Sequence, residues 1–339
     1  MLPFFFINMA VANCYFDGPS NRLSNYCAIK LINGKRVDAQ SLRLVDYKLK
    51  IEGNSNGIGL PVEFEKSTTR RYLNPLLYYS NNINGGNPSK PLELGNLIFV
   101  GDEEYFSKSG MLAGMGAGLS GRYIHAEGRY LQYNANVGYA YSPVHKKGVG
   151  TANARVCDIR HIQNWWYLDI CATQSRIRRD ITDTTNSDLS FVASKVVNSS
   201  EQSFNQVDFG LNRHFSENYA QNQLIMGVDT IHSNGKFTKL SATVGEAITS
   251  QLATKISLDG KLITAFANKP LTLAANYTVS DGGIMLGVIL DEKNYGISLS
   301  YPIWKKLNLS IGYQVTDSTI DYYDSRTPTL GLQLPSIQF

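Results

Sequence analysis

The chain has 339 residues with 32 basic and 28 acidic side chains, a formal net charge of +4, and an apolar fraction of 43% against 18% charged residues. That much apolar material can bury a large core, so wholesale disorder is excluded. So balanced a charge, without any Lys/Arg run, excludes a dedicated nucleic-acid binder.

Residues 1–12, Met1-Leu-Pro-Phe-Phe-Phe-Ile-Asn-Met-Ala-Val-Ala12, form an apolar run of signal-peptide length that ends in a small-x-small triplet. Cleavage is expected before Asn13, although no Lys or Arg precedes the run. No other segment approaches the roughly 18 to 20 unbroken apolar residues of a membrane helix, so any spanning must be done by strands. Residues 13–70 differ in pattern from the remainder of the chain, with short strand signals near 42–51 and 60–64, and are expected to form a small extension or plug. The four cysteines fall as two local pairs, Cys14 with Cys27 and Cys157 with Cys171. Neither pair has the short spacing of a zinc site, so two disulfides in an oxidising compartment are expected, the sequence leaving three connectivities open.

From residue 71 onward, stretches alternate between apolar and polar side chains. Leu131, Tyr133, Ala135, Val137, Tyr139 and Tyr141 share one parity, and Tyr130, Gln132, Asn134, Asn136, Gly138 and Ala140 share the other. The pattern recurs in Leu271, Leu273, Ala275, Tyr277 and Val279 against Thr272, Ala274, Asn276, Thr278 and Ser280, and again in the two strands after it. Such runs match the 9 to 11 residues of a tilted membrane strand. Turns are expected at Asn234-Gly235, Asp259-Gly260 and Asp281-Gly282, because Asn/Asp-Gly supplies the positive φ that a tight hairpin demands.

A soluble sandwich satisfies the same alternation. The polar face favours a membrane barrel instead, since it carries Gly, Ser, Thr, Asn and Gln where a soluble sheet places Lys and Glu. Aromatic residues near strand ends, among them Tyr139, Tyr141, Tyr277, Tyr295, Tyr301, Trp304 and Tyr313, suit interfacial girdles. The expected fold is therefore all-β, a closed antiparallel transmembrane barrel over residues 71–339, closed because lipid cannot satisfy an open sheet edge. Sixteen candidate strands can be drawn, with 252–258 separate from 261–267, and with 271–279, 283–290 and 294–301 as three units. The segment 187–197 also reads as a helix, and an even total of 14, within a range of 12 to 16, is expected.

The last residue is Phe339, after Leu330-Gly-Leu-Gln-Leu-Pro-Ser-Ile-Gln338. A final amphipathic strand ending in an aromatic resembles the bacterial outer-membrane β-barrel proteins. That resemblance implies a Gram-negative outer membrane, contact with its lipid and lipopolysaccharide, recognition of Phe339 by the barrel-assembly machinery, passage of small solutes, and porin-like homo-oligomers. Parity breaks near the end, because Phe339 and Ile337 do not share a face with Leu330, Leu332 and Leu334 unless a bulge sits at Pro335.

Chemistry is sparse. His232-Ser233-Asn234-Gly235 resembles the His-x-Ser-Asn-Gly stretch of outer-membrane phospholipases, but here His and Ser are adjacent, and alternation sends them to opposite faces. A lipid hydrolase using His232 and a secreted carbohydrate-binding sandwich are the competing readings. No metal spacing and no phosphate loop occurs, and no cofactor is implied. Cys157 and Cys171 each lie seven residues from Asn164, so a hairpin there places them opposite one another. Arg122, Arg129, Arg160, Arg176, Arg178 and Arg179, with Arg155 nearby, are the densest basic residues, candidates for a lumen or rim cluster that favours anions.

Overall fold

A computed structural model describes Cys14, residues 20–32, Val45, and residues 67–339 apart from 89, 95, 127, 201–202 and 305–306. The expected signal segment and, Val45 aside, the strand signals near 42–51 and 60–64 lie outside the described residues.

The helix α1 (Asn21–Ile32) begins where Ser20 Oγ accepts the amide of Leu23 at 3.2 Å, satisfying a donor that the first turn leaves open. Its Leu23, Tyr26 and Cys27, spaced to share one helical face, are buried, and a disulfide joins Cys27 to Cys14.

The strand β1 (Ser67–Ser80) is followed by residues 81–109, which carry a small hairpin of β2 (Leu92–Leu94) and β3 (Leu97–Phe99). An unbroken antiparallel meander comes next: β4 (Gly110–Ala126), β5 (Arg129–Ser142), β6 (Lys147–Gln163), β7 (Trp166–Arg178), β8 (Asp183–Ser200), β9 (Ser203–Phe215), β10 (Ala220–His232), β11 (Phe237–Gly245), β12 (Ala253–Phe266), β13 (Lys269–Met285), β14 (Val288–Trp304), β15 (Leu307–Ser318) and β16 (Ser325–Gln333). β16 returns to β1 and closes a ring of 14 strands, while a short β17 (Ile337–Gln338) continues along the same edge of β1. Closure leaves no edge amide to face hydrocarbon over most of the ring.

Two turn expectations are corrected in detail. Asp259-Gly260 is no turn: it lies inside β12, pairing Asp259 with Ser241 on one side and Asn276 on the other. Parity runs through it without a break, and pairing on both edges overrides a local Asp-Gly preference. Asp281-Gly282 marks a bulge within β13, where Gly282 takes φ +87°, and the hairpin turn comes later at Leu286-Gly287. Segment 187–197 is strand throughout, part of β8, laddered to β7 and β9. Joining 252–258 to 261–267, and dividing 269–304 into two strands rather than three, turns sixteen candidates into fourteen.

The two rims differ. At one, strands join through short turns such as 164–165 and 267–268, and α1 packs there. At the other lie residues 81–109. They are pinned by Asn84, whose Nδ2 donates to Phe106 O at 2.8 Å, whose Oδ1 accepts the Lys108 amide at 2.9 Å, and whose carbonyl accepts the Ile181 amide at 2.9 Å. Tyr322 donates to Pro88 O at 3.3 Å, so this loop spans from the β7–β8 turn to the β15–β16 connection.

Candidate pore and its lining

Register fixes which side chains face out. Met115, Val137, Phe209, Leu211, Leu240, Ile297 and Ile311 all share the outward parity, and all are exposed; Leu240 is 65% and Ile297 68% exposed. A soluble protein does not leave so large a contiguous apolar surface open; hydrocarbon satisfies it. Aromatics border the band. Phe266, Tyr301 and Trp304 gather at the short-turn rim, the first two edge-to-face at 5.9 Å with Lys269 Nζ 5.7 Å from the Tyr301 ring. Tyr139 and Tyr141 stand toward the opposite rim, where Tyr277 and Tyr295 pair directly.

The inward parity is polar but uneven. On β1, β4, β5 and β6 the inward basic side chains at mid-barrel and toward the short-turn rim are Arg70, Arg122, Arg155 and His161. On β7–β12 the inward row holds Asp169, Asp188, Asp208, Asp229 and Asp259, with Lys239 and Lys261. His214 Nδ1 lies 2.9 Å from Asp188, and Lys239 lies 3.4 Å from Asp229. From β13 to β16 the inward residues are mostly small and, Glu292 near the long-loop rim aside, uncharged.

The short-turn mouth is where α1 sits. Leu23, Tyr26, Cys27, Ala28 and Ile29 pack with the inward Tyr167, Val196, Phe204, Ile231, Phe237 and Ile263 in one buried cluster. Tyr26 meets Trp165 edge-on at 4.8 Å. Arg22 forms an ion pair with Asp169 and lies over the Tyr167 ring at 4.8 Å, and Ser20 Oγ bonds Gln206 Oε1 at 2.5 Å. Breaking such a buried pair by removing one partner costs about 3–5 kcal/mol.

Above it opens a lumenal cavity of about 470 Å³ lined by Arg22, Gln132, Asn134, Asn153, Arg155 and the Cys157–Cys171 disulfide. Those cysteines stand opposite each other on β6 and β7, their side chains turned inward and buried. Arg155 lies against the bridge, its Nε 3.2 Å from Cys157 Sγ and one Nη 3.4 Å from Cys171 Sγ.

The other arginines singled out from the sequence do not converge. Arg122 faces inward over the Tyr130 ring at 4.6 Å. Arg129 and Arg160 lie opposite one another at the short-turn rim on the outward parity, and Arg160 pairs with Asp158 at 2.6 Å. Arg176, held by Asp183, and Arg178 take the outward parity near the long-loop rim, and Arg179 begins the β7–β8 turn. Arg70 and Arg155 are the lumenal arginines that sequence reasoning undervalued; the signal was parity, since Arg155 shares a face with Cys157.

Phe339 is 72% exposed on the outside of the barrel, its amide 3.2 Å from Arg71 O. Between β16 and β17 the register with β1 steps by one residue across Pro335, so Leu330, Leu332, Ile337 and Phe339 all lie on the outward face. His232 ends β10 on the outward parity, its Nε2 3.4 Å from Thr238 Oγ1, and Ser233 starts the turn. Among the described residues no group of three or more His, Cys, Asp or Glu side chains could hold a metal ion.

No family model matches the chain and no curated protein matches it. Solved structures do. Acinetobacter baumannii OccAB2 aligns over 80% of this chain and 98% of its own at 7% identity and TM-score 0.40. A BenF-like porin from Pseudomonas fluorescens Pf-5 aligns over 81% and 99% at 8% and 0.41. Pseudomonas aeruginosa OpdK, solved with vanillate, aligns over 80% and 99% at 8% and 0.44. Likeness at this level concerns the barrel shape, and the functional reading rests on this chain's own surfaces.

Proposed function

We propose that this chain is a bacterial outer-membrane barrel serving as a passive, moderately selective pore for small polar solutes, with residues 13–70 forming a plug at the periplasmic mouth. The observation that carries it is the alternation along strands such as β5, β9, β13, β14 and β15, where an outward face rich in exposed apolar side chains opposes a lumenal face of mostly polar and small residues, which suits a water-filled bore inside hydrocarbon. The short-turn rim is the periplasmic side on this reading, as short turns and long outer loops are the habit of such barrels. Lumenal arginines on one wall and carboxylates on the facing one set a field across the bore that orients dipolar solutes and discriminates by charge.

The reading is tested by reconstituting the purified chain in planar bilayers under a salt gradient. Stepwise conductance with a measurable reversal potential is expected; silence at every voltage counts against a pore. Heat-modifiable gel migration separates a membrane barrel from a soluble sandwich.

A further inference from the structure

The junction that closes the ring is built unlike the others. β1 pairs with β4 along its entire length, Ser67–Ser80. On its other edge β1 meets β16 only at Leu76, Leu77 and Tyr78, opposite Gln333, Leu332 and Gly331, and meets β17 only at Tyr72 and Leu73, opposite Gln338 and Ile337. Between these patches Asn74 and Pro75 have no ladder partner on this edge, and residues 334–336 run past them. The β17 register, carried two residues inward, brings Pro75 opposite Pro335. Neither proline nitrogen carries a hydrogen, so neither can donate a ladder bond there. Six residues of β16, Ser325 to Leu330, pair with β15 and not with β1.

A second observation concerns what lies on the two sides of this seam. Outside, Leu73, Leu77, Leu332 and Ile337 present aliphatic side chains. Inside, the neighbouring wall carries Ser298, Gly312, Gly331, Leu76 and Gly116, and the inward charge on β1 is Arg70, two residues beyond Tyr72 toward the short-turn rim. The seam therefore joins hydrocarbon to a stretch of lumen that an alkyl chain can touch without desolvating an ion, whereas β7–β12 forbids this. Asn74 and Gln333, both inward, offer amides to a polar head.

We infer that the β1–β16 seam is a lateral door through which the acyl chain of an amphiphile slides between bilayer and bore while its head group stays among the lumenal amides. This rests on the membrane-spanning reading of the proposed pore. Opening breaks few backbone bonds, which keeps the cost of unpaired amides in lipid low.

The test uses the full chain in vesicles of phosphatidylcholine bearing a photoreactive diazirine on one acyl chain. All four native cysteines are in disulfides, so Leu77→Cys with Leu332→Cys can be introduced to lock the seam, and Leu262→Cys with Leu273→Cys locks the β12–β13 junction as a control. Heat-modifiable migration confirms that each variant folds. Peptide mapping after illumination is expected to find adducts on outward Leu73 and Ile337 in every form. Adducts on inward Asn74, Leu76 and Gln333 are expected in the parent and the control, and their loss in the seam-locked form. Inward adducts that persist in the locked form, or that never appear in the parent, overturn the door. Ion conductance is read separately, so its absence in all forms counts against the pore and leaves the labelling result standing.

Discussion

The walls β7–β12 and β13–β16 share an exterior and differ inside. Both turn aliphatic and aromatic side chains outward, as Phe209 and Leu240 do on one and Ile297 and Ile311 on the other. Inside, the first is charged, braced by α1 and laddered along its length; the second is lined by Ser, Thr, Asn and Gly and ends at a seam with two short paired patches. Lipid imposes the outer face everywhere alike, and the inner face is left free to divide its tasks. The wall against α1 holds paired charges, Arg22 with Asp169 and Lys239 with Asp229, and β13–β16 carries Glu292 near one rim.

The largest effect expected from disturbing this contrast is at the plug. Arg22→Ala strands Asp169 and should cost roughly 3–5 kcal/mol of helix docking. It is expected to raise single-channel conductance and to make the 20–32 segment sensitive to protease, with the barrel still heat-modifiable. Unchanged conductance would show that α1 does not obstruct the bore.

On the exteriors, Leu240→Arg and Ile297→Arg should each cost about 2–4 kcal/mol if they face the bilayer midplane, while inward Ser298→Arg is tolerated. Urea unfolding in vesicles reads all three, and equal losses inside and outside contradict the assigned parity. Replacing both Cys157 and Cys171 by Ser should lower stability by about 2–4 kcal/mol. The bridge is part of the wall, so conductance steps should keep their size.

The smallest effects expected are on selectivity. Asp208→Asn combined with Asp259→Asn should move the reversal potential toward anions and Lys261→Gln toward cations, whereas Asn276→Ala on the uncharged wall should leave it in place. A shift of equal size from Asn276→Ala would deny that the two walls differ in their fields.

Much of this was legible in the residues. The parity of Leu131 to Tyr141 and of Leu271 to Val279 is the one the barrel uses, and the bulge demanded by Pro335 is where the register steps. Asp259-Gly260 misled because its turn preference is local, while its place in β12 comes from partners on β11 and β13 distant in the chain. Asn84 carried no readable role, since the groups it bonds, on Phe106, Lys108 and Ile181, meet only when the loop folds over the rim. The arginines looked like one cluster in sequence, and alternation scattered them to both faces and both rims.

Along each strand the sequence by itself determined which face meets oil, because hydrocarbon tolerates few alternatives and a period of two writes that demand into neighbouring residues. The tertiary structure alone decided which segments fuse into single strands, the wall against which α1 sits and the weakness of the closing seam. These depend on pairing between residues far apart in the chain, such as Leu77 with Leu332 and Arg22 with Asp169, whose encounter no local pattern encodes.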